Sequence, residues 1–276
     1  MAADQMAESA IASSLAPLLA AMLYVYPYQL PALFPLLLLP KWLRPDYLSF
    51  LLTNPGLFWQ AGDLDRHANY VATWTAYIHQ QVISQPGDRF WQTIAKQMMQ
   101  HSIWGPLYFV ERELKTVYQQ RAEILAASVA DLGQPLAYEF PVSSGDRPKL
   151  RLGILTDRFT PQTETFATLP VFQHLDRQQF EVILLTIAPI EHRLARYCAE
   201  SADAVTELPS SLPDQVQTIR RADLDILFIA TNVTAIANSI AQLAVYRLAR
   251  VQITGMNSPV STGMPQIDYY LSSRLT

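Results

Sequence analysis

The fold class is decided by Phe180-Glu-Val-Ile-Leu-Leu-Thr-Ile-Ala188, a run that is apolar at consecutive rather than alternate positions. A strand of this kind is covered on both faces, as strands in parallel sheets are. Similar short runs alternate with helical patterns through the second half of the 276-residue chain. The predicted strands are 150–156, 180–188, 204–208, 225–230 and 251–254, and the predicted helices between them are 163–174, 191–201, 212–221 and 235–249.

Right-handed crossovers between such strands predict an α/β fold with a doubly wound, Rossmann-like parallel sheet. The first part of the chain differs, since it holds all five tryptophans and favours helices over 67–81, 89–101 and 105–129. We therefore predict an all-helical N-terminal domain (1–140), a polar linker (141–148) and one Rossmann-like domain (149–276).

The segment Ser9–Pro40 carries no charged side chain and is long enough to cross a bilayer. Its prolines, such as Pro27 and Pro31, would each remove a helix hydrogen bond. No basic region precedes it, as a signal peptide would require. We expect a buried or interfacial helical segment, with membrane association as the alternative and a leucine-proline contact between copies as a further one.

Composition excludes several classes of function. With 20 basic and 24 acidic side chains the net charge is −4, which argues against nucleic-acid binding. A single cysteine, Cys198, excludes an internal disulfide and any CxxC metal site, and it fits a cytoplasmic protein. The histidines lack metal-ligand spacing, so no metal is expected. No GxGxxG, Walker or nucleophile-elbow motif is present.

Ligands of doubly wound sheets bind beyond the carboxyl ends of the strands. This rule selects three loops, 157–162, 231–234 and 255–263, whose polar side chains and glycine are candidates for binding substrate. The same residue types also serve as helix caps and tight turns, so that structural alternative stays open. The candidates are Asp157, Arg158, Gln162, Asn232, Thr234, Asn257, Ser258, Ser261, Thr262 and Gly263.

An ordered set of motifs resembles the catalytic region of SPINDLY-type O-linked N-acetylglucosamine transferases. The set comprises Lys149-Leu-Arg-Leu-Gly-Ile-Leu-Thr-Asp-Arg-Phe159, the start of the 180–188 strand, Asp223-Leu-Asp-Ile-Leu-Phe-Ile-Ala-Thr-Asn232, Leu248-Ala-Arg-Val-Gln-Ile-Thr-Gly-Met-Asn-Ser-Pro-Val-Ser-Thr-Gly263 and Ile267-Asp-Tyr-Tyr270. Bacterial adhesin N-glycosyltransferases have a loop similar to the one before Gly263. The resemblance covers about residues 149–276.

The resemblance implies the GT-B arrangement, in which a first Rossmann domain frames the acceptor and a second binds the UDP-sugar. This chain resembles the first domain, so we expect the acceptor-side half of an enzyme that transfers a sugar to protein hydroxyls, with the donor-binding half missing. It implies no metal and no cofactor in this half, since a UDP-sugar would need the second domain. The expected partners are an acceptor protein or a partner subunit, and a homo-oligomer is an alternative.

The sequence also departs from the family's pattern. Gln162 and Phe166 stand where the family has histidines, and Asn257-Ser258-Pro259 replaces a Gly-(Tyr/His)-Pro loop. Glutamine cannot take up a proton at neutral pH, which leaves Glu164 as the candidate general base. The alternative hypothesis is therefore a non-catalytic binding or scaffold module that acts through protein partners.

Overall fold

The computed structural model describes residues 15–30, 33–141 and 147–272. Its contacts group the chain into two compact units: Met1–Trp74 with His101–Val110, and Thr75–Gln100 with Glu111–Thr276. The boundary at residue 140 was inferred from composition and stays a prediction, as does the linker over 141–148, of which residues 142–146 lie outside the described ranges.

The described residues contain eight α-helices that lie wholly within them. They are α1 (Arg44–Leu51), α2 (Asp63–Ser84), α3 (Arg89–His101), α4 (Lys115–Val129), α5 (Thr163–Gln173), α6 (Arg193–Glu200), α7 (Leu212–Arg221) and α8 (Ser239–Ala244). The predicted helices 67–81 and 89–101 correspond to α2 and α3, so the helical character of the N-terminal region is confirmed.

The predicted parallel sheet is confirmed. Within the described residues it has six strands in the order β3-β2-β1-β4-β5-β6, with every neighbouring pair parallel. The strands are β1 (Leu150–Thr156), β2 (Phe180–Thr186), β3 (Ala204–Glu207), β4 (Ile226–Ile229), β5 (Val251–Gly255) and β6 (Tyr269–Leu271). The edge strand β6 was not predicted, because its three exposed residues form no buried apolar run.

The adjacent strands β1 and β2 are buried over their last five residues, as their consecutive apolar residues require. Ile154 of β1 and Leu184 of β2 are paired in register and fully enclosed. Phe172 of α5 and Phe228 of β4 complete this core, which positions the carboxyl ends of β1 and β4 side by side.

Two predicted helices are shorter in the structure. The helix expected over 105–129 is a 3-10 turn, Gly105–Phe109, followed by α4 from Lys115. Val110 is extended, and the Glu113 carboxylate accepts the Lys115 N–H at 2.6 Å, which supports the restart. The helix expected over 235–249 is reduced to α8. It begins only at Ser239, because Asn238 caps it by accepting the Ala241 N–H at 2.8 Å, and it ends at Ala244.

The apolar segment Ser9–Pro40 is described only in part. Residues 15–24 are helical, and short 3-10 turns follow at Pro27–Gln29 and Leu36–Leu38. Residues 1–14 and 31–32 lie outside the described ranges. Among the helices described, none has the length and apolar character needed to cross a membrane.

A buried histidine lies in the first unit. The His67 ring is 2% exposed and contacts Tyr28, Phe58 and Tyr70, with ring centroids 5.5 to 6.3 Å away. Neither ring nitrogen has a hydrogen-bond partner among the described residues. Burial therefore disfavours the charged form and lowers the pKa of His67 to about 4.

The loop after β5 packs against the backbone of α4. Gly263 has a φ of +67°, and a Cβ added there would lie 2.2 Å from the carbonyl carbon of Tyr118. Farther along α4, the Arg121 guanidinium donates to the Val233 carbonyl at 3.1 Å. Composition places α4 in the helical part of the chain, yet it forms part of the packing of the sheet unit.

We expect His67 to make the protein less stable in mild acid. The unfolded chain binds a proton near pH 6.5 and the folded chain only near pH 4, so stability falls as the pH drops through that window. From pH 7 to pH 5 the loss is about 2 kcal/mol. Urea unfolding across this range measures it, and His67→Phe should flatten the dependence whereas His101→Gln, at an exposed histidine, should not. Equal slopes in wild type and His67→Phe would contradict this assignment.

Gly263→Ala should destabilise the sheet unit by about 2 to 4 kcal/mol, because backbone atoms of α4 occupy the space of the new methyl group. Gly133→Ala is the matched control. Gly133 also has a positive φ, +82°, but nothing lies within 4 Å of its added Cβ, so only the cost of about 1 to 2 kcal/mol for the left-handed conformation remains. Urea unfolding of both variants measures the difference, and equal losses would show that the packing contact contributes nothing.

Candidate functional site

The sheet has its topological switch point between β1 and β4, where the strand order reverses. The hydroxyl oxygens of Thr156 and Thr231, at the carboxyl ends of these strands, lie 3.0 Å apart. The loops that follow the two strands therefore leave the sheet next to each other and diverge. Such a crevice is where ligands of doubly wound sheets bind.

A polar cleft of about 260 Å³ opens at this point. It contains four residues that the sequence analysis selected, Asp157, Gln162, Glu164 and Asn232, and thus joins two of the three predicted loops. The remaining lining residues are Thr231, Ala235, Ile236 and Asn238.

The Asp157 carboxylate is held by its neighbour in the chain. Its Oδ1 accepts the backbone N–H of Arg158 at 2.8 Å, and its Oδ2 accepts the Arg158 Nε–H at 3.0 Å. The Asp157 carbonyl accepts the Thr186 hydroxyl at 2.7 Å, which ties the loop to the end of β2. Asp157 thus lines the cleft as one member of an ion pair, and its partner Arg158 is not a lining residue.

Glu164 differs from Asp157 in this respect. It lies in the first turn of α5, where a negative side chain is favoured by the helix dipole. Among the described residues, its carboxylate has no hydrogen-bond or ion-pair partner, so it is available to a ligand. Gln162, which precedes the helix, donates from Nε2 to the Arg158 carbonyl at 3.2 Å, and its backbone carbonyl accepts the Phe166 N–H at 3.2 Å. Its side-chain oxygen Oε1 remains for other contacts.

Asn232 shapes the second loop from within. Its Oδ1 accepts the Thr234 N–H, the Thr234 hydroxyl and the Ala235 N–H at 2.9 to 3.0 Å. Thr234 is fully buried, which supports the structural alternative for that residue. Asn232 lines the cleft, and its side-chain oxygen stabilises the loop in which it lies.

Thr231 and Asn238 also line the cleft, although neither is among the residues selected from the sequence. Thr231 lies in a selected loop, but it directly follows a buried strand, and the sequence does not show that it lines the cleft. Asn238 donates from Nδ2 to the Asn232 carbonyl at 3.3 Å and also caps α8. An asparagine just before a helix is a typical N-cap and would have marked this position. The predicted helix begins at residue 235, however, which places Asn238 inside it.

The third predicted loop, 255–263, lies outside the polar cleft. Asn257 donates from Nδ2 to the Ala230 carbonyl at 2.7 Å and to the Thr168 hydroxyl at 3.0 Å. It lines a separate, largely apolar cavity of about 160 Å³ next to Phe228 and Met256.

The other candidates of this loop have structural partners. The Ser258 hydroxyl is buried and accepts the Val233 N–H at 3.3 Å. Thr262 is also buried, and its hydroxyl accepts the Met264 N–H at 3.2 Å. Ser261 is exposed, and Gly263 packs on α4 as described above.

No metal site is evident in the part of the chain that the structure describes, since it contains no group of three potential His, Cys, Asp or Glu ligands. Cys198 is enclosed in the core, and burial raises the pKa of its thiol to about 11. A thiol of that kind stays protonated at neutral pH and is a poor nucleophile.

No family model matches this chain, and no curated protein matches it. Among solved structures, a mutant of the O-GlcNAc transferase of Thermobaculum terrenum is similar, with a TM-score of 0.48 and 18% sequence identity. The similarity covers 76% of this chain and 40% of that one, so the chain spans less than half the length of that enzyme.

Proposed function

We propose that the switch-point cleft is the acceptor site of a glycosyltransferase domain of the O-GlcNAc transferase type. One observation carries the proposal: Asp157, Gln162 and Asn232 from two separate loops line a single polar cleft with Glu164 of α5, where doubly wound sheets bind ligands. The ordered motifs over about residues 149–276 support the same assignment. The proposed reaction transfers a sugar from a UDP-sugar to a hydroxyl group of a protein, in the cytoplasm.

In this reaction the acceptor oxygen forms a bond to the anomeric carbon of the sugar, and the bond from that carbon to the diphosphate breaks. The hydroxyl proton passes to the Glu164 carboxylate, which is open to a ligand, whereas the Asp157 oxygens are engaged by Arg158. UDP leaves with the bonding electron pair. A second Rossmann domain, from a partner subunit or a longer protein, would hold the donor.

The second candidate function is binding without catalysis. Gln162 is fixed by its hydrogen bond to the Arg158 carbonyl, and Phe166 is exposed on α5, so neither supplies the imidazole that the resemblance leads one to expect. A domain of this kind would hold a protein segment in the cleft and act as a scaffold or as one half of an assembly. The two proposed functions share the cleft, and only the enzyme would also need a proton acceptor and a donor-binding domain.

We expect a Ser- and Thr-containing peptide to bind at the cleft of the isolated chain. In an NMR titration it should shift the backbone amides of 157–164 and 231–238, whereas UDP-N-acetylglucosamine should not. Ile236→Trp should weaken peptide binding at least tenfold (roughly 1.4 kcal/mol) by filling the cleft. The matched control is Ile190→Trp, because Ile190 is equally exposed, 44%, but does not line the cleft.

Calorimetric titration with UDP and UDP-N-acetylglucosamine tests whether this chain binds only the acceptor and leaves the sugar donor to a second domain. Binding of either to the chain alone, with a dissociation constant below about 100 μM (roughly −5.5 kcal/mol), would contradict a purely acceptor-side role. If the peptide shifts no amide of the two loops at concentrations of about 1 mM, near the weakest specific binding worth pursuing, the acceptor site itself is wrong.

A further inference from the structure

A run of four leucines in the first unit is arranged with its two ends buried and its two middle residues exposed. Leu36 and Leu39 are 0% and 2% exposed, whereas Leu37 and Leu38 are 50% and 61% exposed. Trp42 follows with 65% exposure, next to a buried Leu43. We refer to residues 36–43 as the leucine turn. It presents two leucines and a tryptophan to solvent within six consecutive positions.

The leucine turn is held in this shape by its own backbone and by Arg44. The Leu39 N–H donates to the Leu36 carbonyl at 3.3 Å, and the Leu43 N–H donates to the Pro40 carbonyl at 3.0 Å. The Arg44 guanidinium donates to the carbonyls of Leu39 and Leu37 at 3.0 and 3.1 Å. The apolar side chains are therefore exposed on an ordered turn rather than on a loose loop.

The chemistry of this turn combines exposed apolar groups with basic ones. Lys41 is exposed between the leucines and Trp42, and Arg44 follows at the start of α1. With Asp46 included, residues 36–46 carry a net charge of +1, in a chain whose net charge is −4. Leucine and tryptophan beside lysine and arginine is the composition of segments that lie at a membrane interface.

We propose that the leucine turn docks reversibly on an anionic lipid surface. Leu37, Leu38 and Trp42 enter the boundary between headgroups and acyl chains, and Lys41 contacts anionic headgroups. The exposed area suits this occupant better than a protein. Three partly exposed side chains offer on the order of 300 Å² on this chain, whereas a specific protein interface of standard size buries about 800 Å² on each partner.

Sedimentation of the full chain with vesicles tests the proposal. We expect binding to phosphatidylcholine vesicles that contain phosphatidylserine, and weaker binding to pure phosphatidylcholine or in high salt. The double variant Leu37→Ser/Leu38→Ser should reduce binding at least tenfold, and Lys41→Glu should reduce it for the anionic vesicles. All three side chains are exposed, so the fold should be retained. The control is Ile190→Ser/Val205→Ser, which removes two exposed apolar side chains of the sheet unit.

Quenching by brominated lipids gives an independent readout of depth. It should reach Trp42, so that Trp42→Phe removes most of the quenching while the other tryptophans remain. Absence of vesicle binding at low salt, or equal binding by the leucine double variant, would overturn the proposal. If that variant instead turns a dimer into a monomer in light scattering without vesicle binding, the turn is a contact between copies of the chain, which also overturns it.

Discussion

The sheet unit depends on the position of β1, which is hydrogen-bonded to β2 on one side and to β4 on the other. Both faces of the strand are covered by apolar side chains, so its register and direction are set by the core. The polar groups that follow β1 and β4 cannot enter that core without losing their hydration. They collect at the carboxyl edge instead, and the reversal of strand order opens a cleft between them.

Most polar groups of these loops first stabilise the loops themselves. Asn232 accepts three hydrogen bonds from its own turn, and Asp157 is held by Arg158. Such bonds fix the loop backbones and reduce the entropy that a ligand would have to remove on binding. They also engage acceptor oxygens. The two carboxylates of the cleft therefore differ, because Asp157 is hydrogen-bonded to Arg158 and Glu164 is open to a ligand.

The sequence predicts those parts of the site that depend on neighbouring residues in the chain, and it does not predict those that depend on distant ones. Five strands and the loops at the switch point could be predicted, because consecutive apolar residues between helical patterns are a local signal. The burial of Ser258 and the approach of Gly263 to Tyr118 could not, since each depends on a partner far away in the chain. The break before α4 was missed for a different reason: a carboxylate at Glu113 supports a restart that periodicity alone does not show.

These hydrogen bonds also restrict which side chain of the cleft could act as a general base. A general base needs an acceptor atom that the protein has not already engaged and that can reach the proton it removes. Both oxygens of Asp157 already accept hydrogen bonds from Arg158, and neither Gln162 nor Asn232 can take up a proton. Glu164 is therefore the one carboxylate among the four selected lining residues without a partner in the described part of the chain. The proposed enzyme would therefore depend on this carboxylate in the first turn of α5 and on a donor-binding domain, whereas the proposed binding module would need only the cleft.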